Sequence, residues 1–392
     1  MILGFYYHSS YIEEKSDISM PSYLGVFINS ILNDVDELII FGHLSNNNNL
    51  DKCDYKLKNE KIKFVNIGYK TSSLHRFIFN KKLLKQIKNE VYNCDAILVR
   101  GPSPLAPFFY KHFRKTTKIF YLIVGDYSKT YSAYSSISFK QRFIKYFDNI
   151  QDSYLTKSIS DSTTFVNSET LYNKYRNITK NLIKIRTTTI SKNDIIIRDD
   201  SFQKNQKWIN ILYSGRFDIN KGLFEILEAS KILIQENYKI RVHFVGWEDS
   251  SKHSVKKNLI RRIDSLSLKE YVFIHGKKKV GPELFKFYKD CQLFLIPSYF
   301  ESFPRTIWEA FANSLPVIAS EVGSIPYYTS DKENILLIKP RDVISLKNAM
   351  VELIENQILR KKLIINGRKC VEDITLEIQS KLLMKNLHKH LD

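Results

Sequence analysis

Gln292-Leu293-Phe294-Leu295-Ile296-Pro297-Ser298-Tyr299-Phe300-Glu301-Ser302-Phe303-Pro304-Arg305-Thr306-Ile307-Trp308-Glu309-Ala310-Phe311-Ala312 holds two structural elements and the turn between them. The run from Gln292 to Ile296 is short, apolar and closed by Pro297 and Ser298, the pattern of a strand buried on both faces of a parallel sheet. A helix is expected next. Ser302 suits its N-cap and Pro304 its first turn, where a prolyl nitrogen gives up only a donor that has no intrahelical partner. Glu301 then stands in the loop above the sheet, and Glu309 about two turns into the helix. Ligands of open α/β sheets bind outside the carboxyl ends of the strands, where a helix N-terminus offers N–H groups and positive dipole to an anion. A phosphorylated ligand fits such a place.

Upstream, Ser214-Gly215-Arg216-Phe217-Asp218-Ile219-Asn220-Lys221-Gly222 repeats this logic after an expected strand from Trp208 to Tyr213. Gly215 allows close passage of the backbone, Arg216 can fork two N–H bonds to phosphate oxygens, and Lys221 adds a point charge at a helix start. A cation there opposes the helix dipole and so calls for an anion.

In order along the chain come Ser214-Gly215-Arg216 with Lys221-Gly222, His243-Phe244-Val245-Gly246, Val272-Phe273-Ile274-His275-Gly276, Leu295-Ile296-Pro297-Ser298, the paired glutamates, Ala310-Phe311-Ala312 with Leu315-Pro316-Val317-Ile318-Ala319, and Gly323-Ser324-Ile325-Pro326 with Glu333-Asn334. From about Trp208 to Met350 the chain resembles the donor-binding half of the retaining glycosyltransferases of family 4, whose fold is GT-B: α/β, with two Rossmann-like domains facing across a cleft. The resemblance covers a little over a third of the chain, and the amino-terminal half matches only loosely. It implies that Arg216 and Lys221 hold the diphosphate of a nucleotide-sugar donor, linked to UDP or GDP, and that Glu301 contacts the transferred sugar. Glu309 would hold the ribose hydroxyls. Gly215 would lie against the donor, amides around Ser302, Phe303, Arg305 and Thr306 would take the distal phosphate, and Lys277 and Lys278 would line the base. Retention would proceed by front-face attack, with the leaving phosphate accepting the acceptor's proton, and no metal ion or other cofactor would be needed. The physical reading agrees, because fixed cations aimed at a leaving diphosphate stabilise the transition state more than the ground state.

The chain departs from the family pattern in places. Ser314 and Ser324 stand where glycines are usual, and Pro304, also at a position often held by glycine, removes one amide donor. Many members place a histidine at the end of a central strand in the first lobe. Here the expected strand from Ile119 to Val124 ends in Gly125-Asp126, so Asp126 is the candidate for that place.

At 392 residues the chain suits two domains. Residues 1–195 are expected to form an amino-terminal Rossmann-like acceptor domain and residues 208–372 the donor domain. The polar stretch between Ile190 and Lys207 would be a hinge. Strands are expected at Met1 to Tyr7, Leu38 to Phe41, Lys63 to Ile67, Ala96 to Val99, Ile119 to Val124 and Thr164 to Val166, alternating with helices as in a parallel sheet. Gly25 opens a helix after a long loop and is a candidate phosphate neighbour, or else an ordinary turn glycine. Asn46 to Asn49 reads as a loop. Helical spacing of Leu376, Ile378, Leu382, Leu383 and Leu387 marks a last helix over 375–392, which in the resembled fold packs back on the first lobe.

Four dispersed cysteines, Cys53, Cys94, Cys291 and Cys370, lack metal-ligand or redox spacing and fit a reducing compartment. No apolar run approaches the ~18 residues of a membrane span, and no cleavage site follows Met1 to Tyr7, so a soluble cytoplasmic protein is expected. No glycine triplet of the dinucleotide fingerprint occurs, which disfavours nicotinamide and flavin enzymes.

The net charge is +19, and between Lys52 and Lys145 there are 20 Lys and Arg against 5 Asp and Glu, an excess of 15. Leu74 to Lys88 carries Arg76, Phe77, Ile78, Phe79, Lys81, Lys82, Leu84, Lys85, Ile87 and Lys88 at spacings compatible with an amphipathic helix. It resembles an interfacial helix that would hold the first lobe on the anionic inner face of the cytoplasmic membrane; a solvated lysine-rich face is the plainer reading. Nucleic acid is a rival partner for this charge, yet no helix-turn-helix, zinc-finger or RRM signature appears. A saccharide-binding module without activity would have no use for a diphosphate clamp. His243 and His275, in apolar strands, read as core histidines. The expected activity is transfer of a sugar from a nucleoside diphosphate to a saccharide or lipid-linked acceptor, in the assembly of a surface polysaccharide.

Overall fold

The computed structural model describes residues 1–14, 17–45, 53–126, 139–203, 206–248 and 254–391. The loop expected at Asn46 to Asn49 lies outside them. The chain divides into two compact units, one of Met1–Thr187 with Leu376–Asp392, the other of Thr188–Thr375.

The strands are β1 (Ile2–Glu14), β2 (Asp17–Met20), β3 (Glu37–Leu44), β4 (Tyr55–Leu57), β5 (Ile62–Tyr69), β6 (Ala96–Gly101), β7 (Lys118–Ile123), β8 (Thr164–Val166) and β9 (Leu182–Lys184) in the first unit. In the second they are β10 (Ile209–Arg216), β11 (Ile240–Trp247), β12 (Val272–Ile274), β13 (Leu293–Ile296), β14 (Val317–Ser320) and β15 (Leu336–Ile338).

In the second unit the strand order is β12-β11-β10-β13-β14-β15, parallel throughout. This is the doubly wound order, and β10 and β13 flank its switch point. Alternate residues of each strand feed two cores. Ile211, Leu293, Leu295 and Ile318 face one, while Leu212, Phe294, Ile296, Val317 and Ala319 face the other. Burial on both faces explains why these strands are apolar without alternation. The helix Leu223–Gln235 covers the first core with Leu223, Ile226, Leu227, Ser230 and Leu233, the spacing of one helical face. Arg305–Ala312 covers the second with Ile307, Trp308, Ala310 and Phe311.

The first unit repeats the plan. Parallel pairings give β5-β3-β1-β6-β7-β8-β9, with β1 and β6 at the switch point. One difference from expectation concerns the long loop before Gly25. Beyond Tyr7 the strand β1 continues and pairs antiparallel with β2, which pairs antiparallel with β4. Gly25 itself is buried inside the helix Ser22–Ile31, and a Cβ there would collide with the Tyr55 ring of β4. It therefore serves helix-to-strand packing, not a phosphate turn.

Leu74 to Lys88 is not one helix. It breaks into Ser73–Ile78, Asn80–Gln86 and a third short helix from Lys88, and Arg76, Leu84 and Ile87 point inward while Leu74, Ile78 and Phe79 are exposed. The helix Leu376–Lys389 inserts Leu383, Met384 and Leu387 into the core that Leu24, Phe27 and Ile28 of the first helix also fill.

Of the polar stretch expected as a hinge, residues 196–201 are bonded to the second unit. Arg198 donates to the carbonyls of Ser314, Lys289, Tyr288 and Cys291, Ile196 N–H donates to Ala312 O at 2.7 Å, and Ser201 Oγ donates to Gln292 O at 2.8 Å. Arg198 and Ser201 thus satisfy backbone carbonyls, and Asp200 pairs with Arg360 at 3.0 Å.

Candidate functional site

Strand β10 runs to Arg216, three residues past the expected end, so Ser214 and Gly215 lie in the sheet and Arg216 is exposed at its carboxyl edge. After it, Asp218 accepts a hydrogen bond from Asn220 N–H at 2.9 Å and closes a single helical turn, Ile219–Lys221. Gly222 follows in the left-handed region, φ 67°, and any Cβ on it would strike the Pro297 carbonyl. Only glycine meets both demands. The turn is thereby seated on the loop after β13, and Tyr299 N–H donates to Asn220 O at 2.8 Å across the same seam.

The helix after β13 begins later than expected. Its N-cap is Pro304 and its first residue Arg305, so Ser302 precedes the cap and Glu309 lies little more than one turn in. Ring nitrogens of proline donate nothing, so the helix start presents the amides of Arg305 and Thr306. Phe303 is buried, stacked on Trp308 with centroids 5.5 Å apart, which anchors the loop. On the far side Gly323, φ 61°, packs against the Glu301 carbonyl so closely that a side chain there is excluded.

Between these anchored turns Lys221 Nζ lies 2.6 Å from Glu301 Oε1, and Ser298 Oγ donates to the same oxygen at 2.8 Å. Both side chains are largely shielded, at 16% and 10% exposure. Shielding strengthens the pair relative to a surface bridge and makes loss of one partner costly. The Glu301 carboxylate and burial together push the nearby Tyr213 phenol well above its ordinary value, burial being the larger cause.

Glu309 is placed differently from the expectation of an open ribose ligand. It is buried, accepts from Thr189 Oγ1 at 2.6 Å on one oxygen and from Tyr288 OH at 2.9 Å on the other. Burial, with the adjacent Glu309 carboxylate, drives Tyr288 far above the usual phenol range, so it remains a donor. Two hydrogen bonds leave further lone pairs on a carboxylate, but its first duty is to tie the helix to Tyr288 and Thr189.

Lys278 pairs with Glu283 at 3.2 Å, and Lys277 lies over the Trp247 ring at 5.7 Å, both at the ends of the outer strands. His243 and His275 are more than core fillers. His243 Nδ1 meets His275 Nε2 at 3.0 Å and its Nε2 meets Asn210 Oδ1 at 3.2 Å. Burial, then the neighbouring His275 and Arg241, lowers His243 to about 4. Neutral rings fit one geometry: His243 donates to Asn210 and accepts from His275.

Asp126 lies in the first unit and is not an open base. Lys174 Nζ sits 2.8 Å from both Asp126 Oδ1 and Asp152 Oδ1. The four cysteines are free thiols, and burial pushes Cys94 up to about 12. Thr189, Tyr288, Ser298 and Tyr299 are site residues that sequence reasoning passed over. Ser298 and Tyr299, in the loop after the strand, carried a positional signal; Thr189 and Tyr288 are brought in by tertiary packing alone.

Residues 194–370 match the family described as Glycosyl transferases group 1. This match covers less than half of the chain, and with the relatives below it makes the chain a transferase. The matched residues include Arg216, Lys221, Ser298 and Glu301, and all of them belong to the second unit. The chain is similar to protein CapJ of Staphylococcus aureus, 24% identical over 358 residues that cover 89% of this chain and 85% of CapJ. It is similar to the capsular polysaccharide biosynthesis glycosyltransferase CapM of the same organism, 26% identical over 51% of this chain and 54% of CapM. In fold it is similar to sucrose-phosphate synthase of Thermosynechococcus elongatus, TM-score 0.77 at 17% identity, covering 100% of this chain and 98% of that one. HepE of Anabaena, in complex with UDP-glucose, gives a TM-score of 0.72 at 14% identity over 99% and 100% of the two chains. The fold is that of the GT-B glycosyltransferases.

Proposed function

We propose that the chain is a retaining glycosyltransferase of family 4 that moves a sugar from a UDP- or GDP-linked donor to a saccharide or lipid-linked acceptor during assembly of a cell-surface polysaccharide. The observation that carries this reading is the shielded Lys221–Glu301 pair beside Arg216 at the switch point of the second sheet. A lysine and an arginine there answer the charge that develops on a leaving diphosphate, and Glu301 is placed to accept from a sugar hydroxyl. Arg305 and Thr306 would add backbone amides to the distal phosphate. Lys277 and Lys278 would line the base, and Glu309 would reach ribose only through lone pairs not used by Thr189 and Tyr288.

In this account the cationic clamp does the work of a divalent ion, and the leaving phosphate accepts the acceptor's proton on the face from which the donor departs. Asp126 would act at the acceptor end from its pairing with Lys174. The capsular role named for CapM and the UDP-glucose bound to HepE support the choice of pathway and donor. Exposed Leu74, Ile78 and Phe79 among Lys81, Lys82 and Lys85 support contact of the first unit with an anionic membrane surface. Among the described residues no helix is long and apolar enough to cross a membrane.

The test is a thermal-shift screen of UDP, GDP and ADP and their sugars, followed by anomer analysis of the product formed in the presence of a chelator. Stabilisation by one nucleotide family and a retained anomer are expected. Absence of any nucleotide effect would remove the reading.

A further inference from the structure

The first unit holds a second concentration of unmet polar groups, at the switch point of its own sheet. Tyr6 and His8 come from β1, His43 from β3, Arg100 from β6, and Arg76 from the short helix after β5. Arg76 is 3% exposed and reaches the Tyr6 phenol, yet among the described residues its Nε and Nη1 have no well-formed hydrogen bond; the same holds for Nε of Arg100 and Nδ1 of His8, and the His43 ring is approached only by the Gly68 backbone. No carboxylate among the described residues pairs with either guanidinium. Arg100 is instead faced by the rings of Tyr7, Tyr23 and Phe27, at 4.8, 5.7 and 5.8 Å.

Buried charge without a counter-ion is expensive, and proteins ordinarily pair it. Here the surroundings make the deficit worse. The charged groups acting on His8 are Arg76, Lys70, His43 and Arg100, and those acting on His43 are Arg76 and Lys70, so burial and these cations hold both imidazoles down to about 3. Burial raises the Tyr6 phenol to about 12 and keeps it a hydroxyl, 2.9 Å from Ser103 Oγ. The cluster therefore offers guanidinium forks, neutral imidazoles and hydroxyls, all able to donate, and nothing anionic to receive them. Open α/β sheets bind their ligands at this edge.

We infer that this cluster receives an oxyanion, a phosphate or carboxylate group carried by the acceptor. That an acceptor carries the anion rests on the transferase activity proposed above; the presence of an anion site does not. Guanidinium N–H groups pair strongly with the oxygens of either group, and the unpartnered Nε and Nη1 of Arg76 lie on different edges of its plane, so each would meet a different oxygen or a different group of the ligand.

Titration calorimetry on the full chain tests this, with glycerol 3-phosphate, glucuronate, inorganic phosphate and, separately, UDP as probes. Saturable binding of glycerol 3-phosphate or glucuronate is expected, independent of UDP, and at least tenfold weaker in Arg76→Met with UDP affinity unchanged. Preference for the phosphomonoester marks a phosphorylated acceptor, and preference for glucuronate an acidic sugar. Inorganic phosphate binding tenfold tighter than both would overturn the acceptor assignment. No saturable binding of any oxyanion to the unmodified chain, or unchanged affinity in Arg76→Met, would overturn the site; should that variant not fold, the titration of the unmodified chain decides alone. Oxyanion binding without UDP binding would count against the transferase reading and leave the anion site standing.

Discussion

Lys221 and Glu301, 80 residues apart, meet at 2.6 Å because Gly222 lets the turn after β10 settle on Pro297 at the start of the turn after β13. The pair joins the two loops that flank the switch point. Replacing Lys221 by Met leaves the Glu301 carboxylate shielded with Ser298 as its one donor among the described residues, and is expected to cost about 1–3 kcal/mol of stability. Glu301→Gln in the same chain should recover part of that loss, while transfer stays at least a hundredfold down in both single variants and in the double. Chemical denaturation and initial rates check the two halves separately.

Tyr288 and Thr189 hold Glu309 from opposite oxygens. Tyr288→Phe removes one buried donor to a carboxylate, with an expected loss of about 1–3 kcal/mol. Glu309→Ala strips both donors of their acceptor and should be the more destabilising change. Thermal unfolding of the two variants with and without UDP separates this architectural role from any contribution to nucleotide affinity.

Gly222→Ala and Gly323→Ala each drive a methyl group into a carbonyl oxygen, of Pro297 and Glu301 respectively, at a positive-φ position. Both are expected to destabilise by more than about 1 kcal/mol. Gly276→Ala, also at positive φ but with open space around it, should cost less. Comparing the three by urea denaturation measures the steric part against the conformational part.

Acid should weaken the fold below neutrality. His8, His43 and His243 titrate at about 3, 3 and 4 in the native chain, below the ordinary 6.5. An unfolded chain takes up their protons first, so their stabilising share is complete above pH 6.5 and drains away as the pH falls toward 4 and 3. Each contributes on the order of 2–5 kcal/mol, the half-buried His243 the least. His43→Phe should flatten the slope of stability against pH between 6.5 and 4, measured in urea.

The second sheet was legible because its strands are fully buried and so read as unbroken apolar runs, Leu293–Ile296 and Val317–Ser320 among them. Motif spacing then placed Arg216, Lys221 and Glu301 near one another. What escaped was set by contacts far away in sequence. Pro304 caps the helix in place of Ser302 because Phe303 is drawn into the core beside Trp308, and Gly25 looked like a turn until Tyr55 of a distant strand packed on it. The antiparallel β2 and β4 are short, and their alternation is too brief to register. Arg76 read as one more cation on a basic face, since composition does not reveal which side of a broken helix turns inward.

The most direct test of the central claim is the affinity of UDP and GDP for the chain and for Arg216→Met and Lys221→Met, by titration calorimetry. Binding of one nucleotide to the unmodified chain, weakened at least tenfold in each variant, is the predicted result. No binding of either nucleotide, or equal affinity in all three chains, would contradict it.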